Sequence, residues 1–249
     1  MTKPQPISVE RPDASIEELI ASSFVEDLVF AAKHSALNED LALAILRRRD
    51  SHSTVVEAIA RNPSVIKHRK VLIGVIEHQH TPRHASLPLL RLLFTFELMQ
   101  VALAPAAPAD IKLLAEEVLV TKLGTLSLGE CITLARQASA KVAGGLLAHA
   151  ERGVIEAALQ NPRMTESVIL KSLGRPKVSL VLLNMLSEHS KWSLRREIQI
   201  GMLRRPEASD SLVLKVAAKL SKLVIHQILT QFKLPQPRKE LLQRALLRN

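Results

Sequence analysis

The chain has 249 residues, 47% of them hydrophobic, and a formal net charge of +10 at pH 7. That apolar content excludes general disorder. With 2% aromatics, no Tyr and eight Gly, it also argues against a β-rich sandwich or barrel and leaves Gly-rich phosphate loops scarce. The apolar residues are mostly Leu, Ala, Val and Ile, which predicts an all-α fold. The length exceeds a single globular core, so the chain reads as two domains or one elongated array.

Residues 1–13 contain Pro4, Pro6 and Pro12 and read as a disordered tail. They lack the apolar stretch of a secretory signal, so the expected compartment is the cytoplasm. Ser15-Ile-Glu-Glu18 fits a capping box that opens the first helix. Asn38 is placed to cap Glu39–Arg48, with acids at its start and arginines at its end. Ser53 opens a helix that stops at Asn62-Pro63. Asn there is expected in the left-handed conformation, with Pro forbidding continuation. Val71–His80 follows, and Thr81-Pro82 breaks it from the next apolar stretch.

Leu87–Ala104 is the one membrane-like window, but Pro88, Arg91, Glu97 and Gln100 interrupt it. A buried helix is expected there, not a span. Residues 104–110 form a Pro/Ala connection, read as a bend within one array covering residues 14–249. Asp110 then opens Ile111–Leu123, and Ser127-Leu-Gly-Glu130 is a second capping box. Behind it sits the only cysteine, Cys131, expected as a buried small hydrophobe. Gly144-Gly145, within Lys141–Ala150, would let a neighbouring helix approach closely. The remaining expected helices are Gly153–Gln160, Thr165–Leu173, Ser179–Glu188, Ser193–Leu203, Ser209–Leu220, Lys222–Phe232 and Pro237–Leu247. Most are about ten residues, too short to stand alone in water, so they must bury apolar faces on their neighbours.

The chain also repeats itself. Laying Val154–Leu173 over Ile198–Ala217 puts Pro162 on Pro206, Leu159 on Leu203, Ser167 on Ser211 and Lys171 on Lys215, an offset of 44 residues. That falls within the span of two-helix HEAT-type repeats. Ala60-Arg-Asn62-Pro63, Leu159-Gln-Asn161-Pro162 and Leu203-Arg-Arg205-Pro206 share one pattern: an apolar helix end, then a Pro-terminated turn. On these residues the chain resembles HEAT-like α-solenoids, and among them the leucine-rich repeat variant proteins. The resemblance implies a right-handed α-solenoid that binds through a helical face and implies no shared chemistry. Some proteins of that kind hold an iron–sulfur centre on a cysteine cluster. One cysteine cannot supply it, and no cofactor is expected.

Function is less legible. There is no Walker loop, dinucleotide fingerprint, Gly-x-Ser-x-Gly elbow or His-Glu-x-x-His, so no enzyme is expected. His78, His80 and His84 cluster, but Pro82 lies between the last two and no acid or Cys completes a metal set. Charge is uneven: residues 1–60 hold six basic and ten acidic residues, and residues 191–249 hold thirteen and four. The basic third supplies the candidate binding residues Lys191, Trp192, Arg195, Arg196, Arg204, Arg205, Lys215, Lys219 and Lys222. Trp192 suits either a partner anchor or base stack, or a staple packing on Leu194 and Ile198. If successive repeats align, the cations form a stripe that tracks phosphates; otherwise they are solvated helix faces. The expectation is a non-enzymatic scaffold binding a protein partner through its helical groove. Sequence-tolerant nucleic-acid binding by the basic third is the alternative.

Overall fold

In the computed structural model, residues 14–48 and 50–248 are described. The tail at 1–13 and Arg49 therefore lie outside the described residues. Seventeen α-helices and two 3-10 turns make up the described chain, and among the described residues there is no strand. The first eight are α1 Ile16–Ala21, α2 Val25–Lys33, α3 Glu39–Arg47, α4 Ser53–Arg61, α5 Arg69–Glu77, α6 Arg83–Leu90, α7 Thr95–Leu103 and α8 Ala109–Lys122. The rest are α9 Leu128–Gln137, α10 Ala140–Leu146, α11 Arg152–Leu159, α12 Glu166–Leu173, α13 Leu180–Glu188, α14 Arg196–Leu203, α15 Asp210–Ala217, α16 Lys222–Gln231 and α17 Gln236–Arg248. The chain forms two compact units that divide at Thr121/Lys122, in the last turn of α8 and beyond the Pro/Ala connection.

Local chemistry starts these helices where expected. Ser15, Asn38 and Ser127 accept the backbone N–H three residues on, at 3.3, 2.9 and 3.4 Å. Glu130 reaches back to the Ser127 N–H at 3.0 Å, completing the capping box. Ser179 and Ser209 cap α13 and α15 in the same way.

In the first unit α1, α3, α5 and α7 pack in succession, as do α2 and α4. His84–Glu57 and Arg83–Asp110 ion pairs extend the second row to α6 and α8. The second unit repeats this scheme: α9, α11, α13, α15 and α17 form one row, and α10, α12 and α14 form the other. Each unit is thus a helical repeat in which a helix stacks on the second one before it. The cores are aliphatic. Leu28, Ile45, Val55, Ile59, Val71 and Val75 form one cluster, and none of the five Phe is buried.

A hydrogen-bond ladder accompanies the stacking. A helix leaves its last four carbonyls without intrahelical donors, and here side chains from the next-but-one helix end supply them. Arg48 donates to Ile20 and Ser22 carbonyls, at 2.7 and 2.9 Å. Asn62 Nδ2 donates to Ala32 at 2.8 Å and His34 at 3.3 Å, and Asn161 Nδ2 to Ala135 at 2.8 Å and Ala138 at 3.0 Å. Arg175 reaches Gly144, Trp192 reaches Leu159, Arg205 reaches Leu173 and Lys219 reaches Ser187.

This changes the reading of the Asn-Pro turns. No described residue has positive φ, and Asn62 is extended at φ −83°, ψ 110°. The following Pro disfavours the helical region for the residue before it. The extended Asn then folds its Oδ1 onto the N–H two residues on and aims Nδ2 at the preceding repeat. Arg205-Pro206 is the same device with a longer donor.

The 44-residue offset is not the stacking repeat. It spans three helices, α11 to α14 and α12 to α15, whereas stacking relates every second helix. The sequence similarity therefore equates helices of opposite rows. What recurs is the local device of helix, Pro turn and capped helix.

The window Leu87–Ala104 holds two helices and an exposed turn, not one buried helix. Pro88 lies in the last turn of α6, and Phe94 occupies the N-cap position of α7. Leu92 and Phe94 are 60% and 68% exposed. Glu97 holds the turn: it accepts the Phe94 N–H at 2.7 Å and pairs through both oxygens with Arg69, which also bonds the Leu92 carbonyl and lies over the Phe94 ring. No described helix is long and apolar enough to cross a membrane. Gly144 and Gly145 sit as expected against Val168 and Leu123, with no room for a Cβ.

Two predictions follow from the ladder and the turn. Asn161→Ala leaves two buried carbonyls without donors and should cost about 2–3 kcal/mol in urea unfolding followed by circular dichroism; a loss under about 0.5 kcal/mol would refute the ladder's importance. Arg69 and the Phe94 N–H hold the Glu97 carboxyl below its usual value of 4.5. The stability it contributes is present above that value and is lost as pH falls through its folded pKa. Glu97→Gln should therefore cost about 1 kcal/mol at neutral pH, with the difference from wild type vanishing in acid. A pH-independent difference would rule this out.

Candidate binding groove

The basic third of the chain is sorted by the fold into two groups. One belongs to the row containing α13 and α15. Lys215 pairs with Glu188 at 3.2 Å and Lys219 donates to the Ser187 carbonyl at 3.1 Å. Trp192, in the 3-10 turn Trp192–Leu194, is 2% exposed. Its Nε1–H donates to the Leu159 carbonyl at 2.9 Å, and Lys191 Nζ lies 4.1 Å from its ring centroid. Leu194 is 73% exposed, whereas Ile198 is buried. Burial and the neighbouring Lys191 charge lower the pKa of His189, whose Nδ1 accepts the Lys191 N–H.

The other group surrounds a groove between α12, α14 and α16. Arg195 is the exposed N-cap of α14, and Arg196 is its first residue. Arg196 donates across the groove to Gln227 Oε1 at 2.8 Å. Arg204, at the other end of α14, places its guanidinium 4.2 Å from the Phe232 ring centroid. Arg205 is largely committed to structure: its side chain is 14% exposed and donates to Leu173 and Pro176 carbonyls and to both oxygens of Glu207. That pairing, more than any other influence, holds the Glu207 carboxyl below its usual range. Lys222 is exposed at the start of α16.

The groove encloses about 560 Å³. Leu170, Leu173, Ile200, Val224 and Ile228 form its apolar lining, with Arg196, Glu197, Arg204, Arg205, Gln227 and Gln231 around them. Gly201 brings α14 close to α12, since a Cβ there would meet Leu173 Cδ1 at 3.0 Å and Leu170 Cδ2 at 3.4 Å. Its volume and mixed lining suit a ligand or a few side chains of a partner.

The fold therefore brings Arg196, Arg204 and Arg205 together and leaves Lys215 and Lys219 in the other row. Gln227, Gln231 and Phe232 are groove residues that sequence reasoning did not find. Their only sequence signal is a place on an amphipathic helix. Elsewhere, a groove of about 590 Å³ lies between α2 and α4, and one of about 550 Å³ lies beside α3 and α5. His78 and His80 stay together, their ring centroids 5.6 Å apart, with His80 Nδ1 2.8 Å from the Ser51 carbonyl, while His84 pairs with Glu57. Among the described residues no group of three His, Cys, Asp or Glu side chains is placed to hold a metal. Cys131 is buried, which pushes its thiol pKa up.

Comparison with protein-family models, with curated proteins and with solved structures gives no match. The fold and the groove define a helical-repeat protein with an open, arginine-flanked cleft.

Trp192 is the only tryptophan, so its burial is directly measurable. Native fluorescence should be blue-shifted, poorly quenched by acrylamide and unchanged by added RNA or DNA, with quenching rising several-fold on unfolding. Native quenching equal to that of free tryptophan would place the ring in solvent instead.

Proposed function

We propose that this chain is a non-enzymatic scaffold, an α-solenoid of the HEAT-like, right-handed kind resembling leucine-rich repeat variant proteins, which binds a protein partner in the cytoplasm through the groove between α14 and α16. The observation that carries this reading is the mixed lining, in which Leu170 and Ile200 lie among Arg196, Arg204, Gln227 and Gln231, a combination that suits side chains from another protein. The arrangement of cations favours it too. Trp192, Arg205, Lys215 and Lys219 are engaged by groups of the chain itself, which interrupts any stripe that would follow a phosphate backbone. Nucleic-acid binding stands as the second reading because Arg195 and Lys222 add exposed positive charge near the groove.

The test uses the full chain as bait at low and high salt, beside Ile200→Lys, which puts a charge on the groove floor. Partner capture should survive high salt and be lost with Ile200→Lys, while anisotropy with labelled duplex DNA and RNA should reveal binding only at low salt. Nucleic-acid binding that persists near physiological salt, with a log–log salt slope of several units, would overturn the protein-partner reading.

A further inference from the structure

The three arginines of the groove differ from one another in what they touch. Arg48, Arg61, Arg69, Arg83 and Arg205 each pair with a carboxylate, of Asp50, Glu57, Glu97, Asp110 and Glu207. Arg196 and Arg204 are held by neutral groups: the Gln227 amide and the Phe232 ring. Both side chains are oriented, and neither charge is neutralised by a carboxylate among the described residues. Orientation by a neutral partner lowers the entropy cost of meeting an anion without consuming the charge.

Their spacing is set by one helix. Arg196 and Arg204 are eight residues apart along α14, about 12 Å at 1.5 Å per residue. Between them lie Ile200 and Gly201, with Leu170 of α12 and Val224 of α16 alongside. An occupant that meets both charges presents two anionic groups about two helical turns apart with apolar groups between them. An α-helix does this with carboxylates at i and i+7 or i+8 and apolar side chains at i+3 and i+4, all on one side. A phosphate backbone does not: its charges recur without apolar groups between them.

We infer that the groove takes an acidic amphipathic helix, with carboxylates two turns apart received by Arg196 and Arg204 and apolar residues seated on Leu170 and Ile200. This rests on the protein-partner reading above and names the chemistry of the partner. Carboxylate–guanidinium bonds add to the Gln227 and Phe232 contacts, since each guanidinium has donors to spare, and the groove's net positive lining draws the acidic face in.

The experiment is selection of a displayed random 16-residue peptide library on the full chain, in parallel with an Arg196→Glu/Arg204→Glu variant checked for native circular dichroism. The expected result is enrichment of acidic helical peptides with carboxylates at i and i+7 or i+8. Measured by anisotropy, each should weaken about tenfold or more against the variant. Exchanging those two carboxylates for lysine should restore binding to the variant. Enriched peptides without acidic bias, or acidic peptides that bind the variant equally well, would overturn the inference. If those same peptides are lost with Ile200→Lys, the groove reading survives. An empty selection overturns the inference as well, and RNA or duplex DNA bound near physiological salt through Arg196 and Arg204 overturns both readings together.

Discussion

The structure depends on how short helices satisfy their carboxyl ends. Each has carbonyls that its own backbone cannot serve, and with so many helices of six to fourteen residues such ends are a large share of the backbone. The fold answers with donors reaching back 23–33 residues: Asn62 and Asn161 by their amides, Arg48, Arg175 and Arg205 by guanidinium groups, Lys219 by its ammonium, Trp192 by its indole. Cations suit this place, because the carboxyl end of a helix carries partial negative charge. The donors join a helix to the second one before it, so the same bonds that terminate helices set the stacking.

That economy explains why net charge is a poor guide to binding in this chain. Arg205 and Lys219 look in sequence like Arg196 and Arg204, since each is a cation at or near a helix end. Yet one pair serves carbonyls of an earlier repeat and the other bridges to a neutral neighbour across an open groove. The difference lies in which way the side chain reaches, back to the end of an earlier helix or onto a side chain of a later one. It is invisible in composition.

Packing explains the rest of the groove. The rows are filled by Ala, Val, Leu and Ile, and glycines at 144, 145 and 201 stand where helices meet most closely. Phenylalanine has no place in such narrow layers and is left at half-buried or exposed positions, Phe232 among them. Where Phe232 and Gln227 bridge to arginines of α14, the helices are joined by long side chains, and the cleft lies beneath.

Sequence alone determined the all-α class, the capping at Ser15, Asn38 and Ser127, the buried cysteine and the Pro-terminated turns, because each depends on residues within one or two helical turns. It misread Asn62 as a left-handed stop, took a three-helix offset for a two-helix repeat, and treated Leu87–Ala104 as a single buried helix. All three errors have one physical origin. Asn62, extended ahead of Pro63, turns its amide to carbonyls about thirty residues away. The stacking partner of a helix is chosen by row, and Phe94 is held at the surface by Arg69 and Glu97 from two different helices. Only the tertiary structure could decide which cations are spent on carbonyls and which flank a groove, since that depends on groups brought together across separate repeats.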